Sequence, residues 1–344
     1  MKGRGAQSNP AGRFCRQTTE PDPAPPPAQV ATRVTMESCR QVISRNQSPD
    51  IPFNLSVNPY RGCEHGCIYC YARPGHAYLG LSPGLDFETQ IFAKAQAAQC
   101  LARELRKPSY RCEVIALGAN TDAYQPAERR LRITRSILEV MQRFQQPVSV
   151  ITKSSLVLRD IDLLKELAQK QLAQVSVSIT TLSAETKRRL EPRTASGDAR
   201  LRVVRELAEA GIPVSVMVAP VIPKITEHEL EDILAAARDA GATSAGYILL
   251  RLPAELESLF AEWLTEHYPN RRLAVMSMLR QCHNGQVYRG GFGKRMRGEG
   301  PLAGVIQKRF LTATRKLGLR PRELRLNTSR FAPPQEAGRQ LSLF

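Results

Sequence analysis

The 344-residue sequence lacks any long apolar run. No segment approaches the roughly 18 consecutive apolar residues that a membrane-crossing helix needs. The opening stretch, MKGRGAQSNPAGRFCRQ, also lacks the apolar core of a secretory signal peptide. Both absences favour a cytoplasmic protein with no membrane partner.

The chain contains eight cysteines, but their spacing is not that of a disulfide framework. Three crowd into eight residues, and five are scattered, at Cys15, Cys39, Cys100, Cys112 and Cys282. Disulfides would be unusual in so long a chain without a secretion signal, so a metal or redox site is expected. The sequence contains no second cysteine cluster. A further iron–sulfur centre, in addition to any bound by the three close cysteines, is therefore not expected.

Positive charge is abundant and unevenly distributed. The formal net charge is +17, and the segment 271–344 holds 16 Lys and Arg against 3 Asp and Glu. A one-sided basic region is typical of a surface that binds a polyanion, with nucleic acid the first candidate. The alternative is a solvated face that only keeps the protein soluble.

The order of patterns along the chain predicts a mixed α/β core. Short β-branched apolar runs predict six strands, at Asn54–Val57, Glu113–Leu117, Val148–Thr152, Gln174–Thr180, Pro213–Ala219 and Ser244–Leu250. Helical patterns predict helices at Glu88–Arg106, Glu128–Phe144, Arg159–Gln171, Ala199–Ala210, Glu227–Ala240, Pro253–His267 and Pro301–Leu317. Because the strands are apolar on both faces, helices should cover a parallel sheet, as a partial barrel or an open doubly wound sheet. Either fold places the functional site at the carboxyl ends of the strands.

Composition also divides the chain into four parts. Residues 1–50 include TTEPDPAPPPAQ and are expected to form a flexible tail. Residues 51–252 carry the alternating pattern of the core, and 253–330 form a basic extension expected to pack on or near it. Residues 331–344 are expected to form a second flexible tail.

The three close cysteines, Cys63, Cys67 and Cys70, have the spacing C-x3-C-x2-C. Three thiolates can bind three corners of a cubane iron–sulfur cluster and leave the fourth iron open to a chelating small molecule. The alternative is a zinc site completed by His65 or His76, but structural zinc sites usually contain two separated cysteine pairs.

The segment RGCEHGCIYCYAR resembles the radical S-adenosylmethionine (SAM) superfamily, whose hallmark is C-x3-C-x-aromatic-C, with Tyr69 in the aromatic position. It is most similar to the branch of spore photoproduct lyase and proteins labelled DNA-repair-photolyase-like. The resemblance implies a partial (β/α)6 barrel, a [4Fe-4S] cluster on the three cysteines, and SAM bound through the open iron. It also implies a reductant such as flavodoxin or ferredoxin, and cleavage of SAM to methionine and a 5′-deoxyadenosyl radical.

The resemblance further implies cofactor contacts at the ends of strands. Asn120, Thr121 and Asp122 follow the second strand, where family members surround the methionine amine; an Asx turn is the structural alternative. Lys153 follows the third strand and would bind the methionine carboxylate.

Two further cofactor contacts are expected around the fourth strand. Ser178 is the leading candidate for a ribose hydroxyl or the carboxylate, although a network of barrel hydroxyls would also explain it. Arg193 would clamp a carboxylate, or else form a surface salt bridge.

The sequence departs from spore photoproduct lyase at one functional point. That enzyme returns hydrogen to its substrate from a cysteine near the end of the second strand, but the corresponding stretch here, GANTDAY, contains none. Cys112 is at the start of the strand, and Cys282 is the alternative thiol candidate, with an inert buried cysteine as the competing interpretation.

Three functions are therefore considered. The first is a radical SAM enzyme acting on a nucleic acid or nucleotide-like substrate, in a lyase or DNA-repair-like reaction. The second keeps the radical chemistry but modifies a protein or a small metabolite. The third is a zinc-stabilised nucleic-acid-binding module without enzymatic activity.

Overall fold

The computed structural model describes residues 3–14, 30–288, 290–323 and 325–334. The strands are β1 (Arg33–Glu37), β2 (Ile43–Arg45), β3 (Leu55–Val57), β4 (Tyr60–Arg61), β5 (Gln90–Lys94), β6 (Ile115–Leu117), β7 (Val148–Thr152), β8 (Ala173–Ser178), β9 (Val214–Val221), β10 (Ser244–Leu249) and β11 (Arg320–Pro321). The helices are α1 (Leu85–Thr89), α2 (Ala97–Leu105), α3 (Glu128–Leu131), α4 (Ile133–Arg143), α5 (Ile161–Gln169), α6 (Ala184–Leu190), α7 (Gly197–Glu209), α8 (Leu230–Asp239), α9 (Leu256–His267), α10 (Arg272–Gln281) and α11 (Pro301–Lys316).

The main sheet has eight strands in the order β11-β10-β9-β8-β7-β6-β3-β2. The strands from β3 through β11 in this sheet pair in parallel, and only β2 is antiparallel. Sequential strands are neighbours, as in a βα-repeat wound in one direction. The predicted α/β class with a parallel sheet is confirmed, and the six predicted strands are its β3 and β6–β10.

Burial explains why these segments form strands. All six residues of β8 are buried. One face of this central strand points into the barrel interior, and helices cover the other face. α5 contributes Leu163, Leu164 and Leu167 to that cover. The carboxyl ends of the strands therefore open at one end of a well-packed scaffold.

The predicted helix Glu88–Arg106 is wrong over its first part. The chain there ends α1, runs through β5, and only then enters α2. β5 lies between β1, in parallel, and β4, antiparallel, in a separate three-stranded sheet. Ile91 and Ala93 are fully buried and alternate with half-buried neighbours, which is the period of a strand.

The N-terminal region differs from the predicted flexible tail over 1–50. β1 and β2 lie within it, and the side chain of Arg4 is buried. Arg4 Nη1 donates to the carbonyl of Glu88 at 2.9 Å. The prediction of a flexible tail came from the Pro-rich stretch 18–29, which lies outside the described residues.

The end of the chain also packs on the core as far as it is described. The ring of Phe331 lies 5.2 Å from that of Tyr110, and Ala332 N donates to the carbonyl of Phe144 at 3.0 Å. Residues 335–344 of the predicted C-terminal tail lie outside the described part. α9 and α11 lie within three residues of their predicted bounds, whereas α10 was not predicted.

No helix in the described ranges is both long and apolar enough to cross a bilayer.

Candidate functional site

A cavity opens at the carboxyl ends of the parallel strands, where the sequence analysis expected a site. Its walls are Cys63, His65, Cys67, Tyr69, Cys70, Tyr71, Gly118, Asn120, Asp122, Thr152, Lys153, Ser178, Met217, Ala219, Leu250, Arg251, Met296, Arg322 and neighbouring apolar residues. The three clustered cysteines therefore share one cavity with the ends of β6, β7, β8, β9 and β10.

Backbone hydrogen bonds join the cysteine loop to neighbouring segments. Cys63 N donates to the carbonyl of Phe87 at 2.9 Å, and Ile68 N to that of Leu190 at 3.1 Å. Gly66 has φ +66, and a Cβ there would meet the Glu88 carboxylate at 2.7 Å. Glycine thus allows both the turn and the close approach of the loop to the scaffold.

The three thiols have the chemistry of ligands for a metal centre. Burial, above all, raises the pKa of Cys63, Cys67 and Cys70, and Cys63 is raised further by the other two thiols. A bound metal centre would remove this penalty by taking the sulfurs as thiolates and releasing their protons. Backbone N–H groups of His65 and Ala72 approach the sulfurs of Cys63 and Cys70, as expected around cluster ligands.

In the described part of the chain, the zinc alternative finds no donor set. Among the described residues, no three or more His, Cys, Asp and Glu side chains converge as one metal ion requires. His76 Nε2 contacts the Gln90 carbonyl at 3.0 Å, and its ring packs against Phe87. A cubane, by contrast, takes each thiolate on a different iron, so its ligands need not meet at one point.

Tyr69 is part of a buried charge network behind the cysteine loop. Its hydroxyl donates to the carboxylate of Glu191, which also accepts from Thr180 Oγ1 at 2.8 Å and pairs with Arg200. Burial alone would raise the pKa of Glu191, but Arg200, Lys153 and Tyr69 outweigh it and lower that pKa to about 2. Tyr69 is therefore fixed in place at its hydroxyl end, with its ring in the cavity wall.

Asp122 links two strand ends. Its carboxylate accepts from Thr152 Oγ1 at 2.8 Å and from Lys153 N at 2.7 Å, and lies 3.4 Å from His65 Nδ1. It also accepts from Tyr124 N, which is the Asx turn considered as the structural alternative. Burial would raise the pKa of Asp122, but His65 and the two amides lower it to about 2. The carboxylate is thus ionised and already fully hydrogen-bonded.

The predicted cofactor contacts divide into two groups. Asn120, Lys153 and Ser178 line the cavity together with Tyr69 and Asp122. Lys153 Nζ lies 6.0 Å from the Tyr69 ring centroid, beside the cysteines.

Thr121 and Arg193 are not brought into the cavity. Thr121 Oγ1 donates to the Tyr60 carbonyl at 2.9 Å, because the loop after β6 turns this side chain inward. Arg193 pairs with Glu64 at 3.3 Å and contacts Thr32, the salt-bridge alternative of the sequence analysis.

The alternative thiol, Cys282, lies away from the cavity. It is fully buried at the end of α10 and packs in the main core. Burial raises its pKa to about 11, which is the environment of an inert cysteine.

Two arginines that the sequence did not predict also line the cavity. The guanidinium of Arg251 lies 4.4 Å from the ring centroid of Tyr71 at the rim. Arg322 reaches the cavity from the segment after β11. Neither follows a motif, and β11 contains only two residues, so no local signal identified them.

Comparison with known proteins gives a family and a fold. The family model described as the radical SAM superfamily matches residues 57–237. An uncharacterised protein of Mycobacterium tuberculosis (strain ATCC 25618 / H37Rv) is 40% identical over 221 residues, which cover 64% of this chain and 65% of that protein. An uncharacterised protein of Methanocaldococcus jannaschii is 28% identical over 173 residues, covering 50% and 62%. The chain thus spans less than two thirds of the length of these relatives.

Solved structures of spore photoproduct lyase share the fold. The complex with dinucleoside spore photoproduct has a TM-score of 0.60 at 16% identity, covering 84% of this chain and 81% of that one. A variant with bound AdoMet and the same ligand has a TM-score of 0.58 at 17% identity, covering 84% and 80%. The fold is therefore the radical SAM partial barrel, and with the family model matching more than half of the sequence, this chain belongs to the radical SAM superfamily.

Proposed function

We propose that this protein holds a [4Fe-4S] cluster on Cys63, Cys67 and Cys70, cleaves SAM reductively, and acts on a nucleic acid or nucleotide-like substrate. The single observation that carries the proposal is the grouping of three thiols, two buried and one half-buried, in one cavity at the ends of the parallel strands. When bound and reduced, the cluster would supply one electron to SAM, yielding methionine and a 5′-deoxyadenosyl radical that takes hydrogen from substrate.

The residues around the cysteines suit a zwitterionic, chelating cofactor. Lys153 supplies a cation for a carboxylate, and Asn120 and Ser178 supply neutral polar groups on the neighbouring strand ends. Within the described residues the Ser178 side chain makes no hydrogen bond, so its hydroxyl is free for a ligand. Asp122 accepts from the backbone N–H of Lys153 and so helps to position this cation.

The rim of the cavity favours a nucleic acid. The aromatic ring of Tyr71 is partly exposed and carries Arg251 over its face. Nearby, Phe292 is exposed and has the guanidinium of Arg295 at 5.1 Å from its centroid. Exposed aromatic rings beside cations stack bases and attract phosphates, the combination that sequence-tolerant single-strand binding uses.

The radical chemistry is tested with reconstituted protein. After anaerobic reconstitution with iron and sulfide, dithionite and SAM are added, and 5′-deoxyadenosine is quantified by liquid chromatography and mass spectrometry. We expect about four irons per chain and formation of 5′-deoxyadenosine, with both lost in Cys70→Ala. Cys282→Ala is the control, because it removes a thiol outside the cysteine loop and should retain both.

The substrate class is tested at the rim. A fluorescein-labelled single-stranded oligonucleotide should bind with an affinity that falls steeply with salt. Phe292→Ala should weaken binding about 5- to 100-fold, the effect of losing one stacked base. Phe14→Ala is the matched control, since Phe14 is 53% exposed against 61% for Phe292 and also lies beside an arginine. Equal binding by both variants would refute the nucleic-acid assignment but not the radical chemistry.

A further inference from the structure

Arg322 differs from the other deeply placed arginines of this fold. Arg73 pairs with Glu88 at 2.5 Å and Arg200 pairs with Glu191, and the buried Arg4 donates to the Glu88 and Val30 carbonyls and to Thr32 Oγ1. Nη2 of Arg322 is buried and has no hydrogen-bond partner, and no carboxylate of the described chain lies within ion-pair distance of this side chain. A buried charge without a counterion is costly, so its retention calls for an explanation.

The backbone of Arg322 lies at the amino ends of the strands, opposite the cysteine loop. β11 pairs with the start of β10, and Arg322 N donates to the Ala245 carbonyl at 3.2 Å. The side chain then crosses to β8, where Nε donates to Ser176 Oγ at 3.0 Å. Gly246 lies beside this path: a Cβ there would meet the Met217 sulfur at 2.8 Å but would only touch Arg322 Cβ, at 3.8 Å. Arg322 therefore forms part of the cavity floor.

The floor lies below the level of the cysteine loop. Ser176 is two residues before Ser178, the last residue of β8, so it lies about 6.6 Å deeper along the strand. A cofactor carboxylate beside the cysteines has Lys153 at that upper level. The guanidinium at the floor is thus available to a second ligand that occupies the barrel interior.

The cavity itself offers this guanidinium no counterion. Asp122 is the one carboxylate among the lining residues, and it is committed to Thr152, His65 and two backbone amides. A bound anion could supply the missing acceptor. A guanidinium is suited to the two oxygens of a carboxylate or phosphate.

We propose that Arg322 binds the anionic group, a phosphate or a carboxylate, of a nucleotide-like substrate in the floor of the cavity. This inference rests on the proposed function and adds the site that would orient the substrate. It makes Arg322 a substrate-binding residue distinct from the SAM-binding residues.

The test compares three ligands on one scaffold. Thymidine, thymidine 5′-monophosphate and thymidine 5′-carboxylate are titrated by calorimetry into reconstituted full-length protein in the presence of SAM. In wild type, at least one anionic form should bind about tenfold or more tightly than thymidine. Arg322→Gln should abolish that preference and leave SAM affinity unchanged. Arg320→Gln, which removes an exposed charge two residues away, should preserve the preference.

Melting temperature separates binding from a merely structural role. Because Arg322 is an uncompensated cation without ligand, ligand-free Arg322→Gln should melt at the same temperature as wild type or higher. Arg322→Lys keeps the charge and should retain part of the preference for the anion.

Several results would overturn the inference: no preference in wild type, a preference kept in Arg322→Gln, or an equal loss of SAM affinity. A large fall in the melting temperature of ligand-free Arg322→Gln would do the same. Failure of the proposed function has a different signature, because wild type would then form no 5′-deoxyadenosine at all.

Discussion

Replacing Glu88 by glutamine should release the N-terminal segment around Gly5 and Ala6 from its contacts below the cysteine loop. The Glu88 carboxylate is fully buried and accepts from Ala6 N at 2.8 Å, from Gly5 N at 3.0 Å and from Arg73 Nη2. The Arg73 guanidinium in turn donates to the carbonyls of Cys67 and Gly84 at 2.9 Å. One carboxylate therefore joins the N-terminal segment, α1 and the cysteine loop.

The magnitude follows from this geometry. The amide of Glu88→Gln keeps the shape but removes the charge, and its NH2 group must face at least one of three donors. Removing one partner of a buried ion pair costs about 3–5 kcal/mol. A domain is typically stable by about 5–15 kcal/mol, so this change should remove a large share of the free energy of unfolding.

The assay is urea unfolding followed by circular dichroism, together with limited trypsin digestion. Arg4 is buried in the intact protein, so cleavage after Arg4 should appear only when the segment is released. Glu206→Gln is the control, since Glu206 forms an exposed pair with Arg202 at 3.5 Å whose loss costs at most about 1 kcal/mol. Equal urea midpoints for the two variants, with Arg4 still protected, would show that the buried pair does not hold the segment.

Three further outcomes are expected. Gly5→Ala should lower the melting temperature and cost about 1–3 kcal/mol, because its Cβ would lie 1.8 Å from the Gly66 carbonyl oxygen; Gly75→Ala, with open space, should not. Lys153→Ala should weaken SAM binding in calorimetry while iron content stays unchanged, and loss of iron would contradict this. Because folding depresses the pKa of Glu191 from 4.5 to about 2, its stabilisation is present above pH 4.5 and lost as the pH falls. Between pH 5 and 3, urea unfolding of the metal-free protein should lose ~2 kcal/mol more in wild type than in Glu191→Gln.

The parallel sheet was predictable because its signal is local. β7 has the predicted bounds, and the other central strands differ by at most two residues at each end. β3 and β6–β9 are buried on both faces and β10 alternates between buried and half-buried residues, so each segment carries its own pattern. The cysteine loop was predictable for the same reason, since its chemistry lies within eight consecutive residues.

The features that the sequence did not predict depend on contacts between distant parts of the chain. β5 is a strand because β1 and β4 pair with it from outside the segment, and its sequence alone also fits a helix. Gly5 and Ala6 fit under the cysteine loop because they are small and their amides meet Glu88, more than 80 residues away. The composition of residues 1–50 is dominated by the Pro-rich stretch, so it could not indicate this contact.

The placement of charge distinguishes the scaffold from the site. Arg73 and Arg200 lie behind the cysteine loop, each neutralised by a carboxylate, and so contribute rigidity without a net field. Lys153 and Arg322 line the cavity at two depths, and its one carboxylate, Asp122, is engaged with other groups. A cavity with cations at two levels suits two anionic groups, one near the cysteines and one at the floor. Charge reversal at the floor, Arg322→Glu, should therefore weaken binding of the substrate anion far more than binding of SAM, and equal losses of both would show that the cavity has only one anion site.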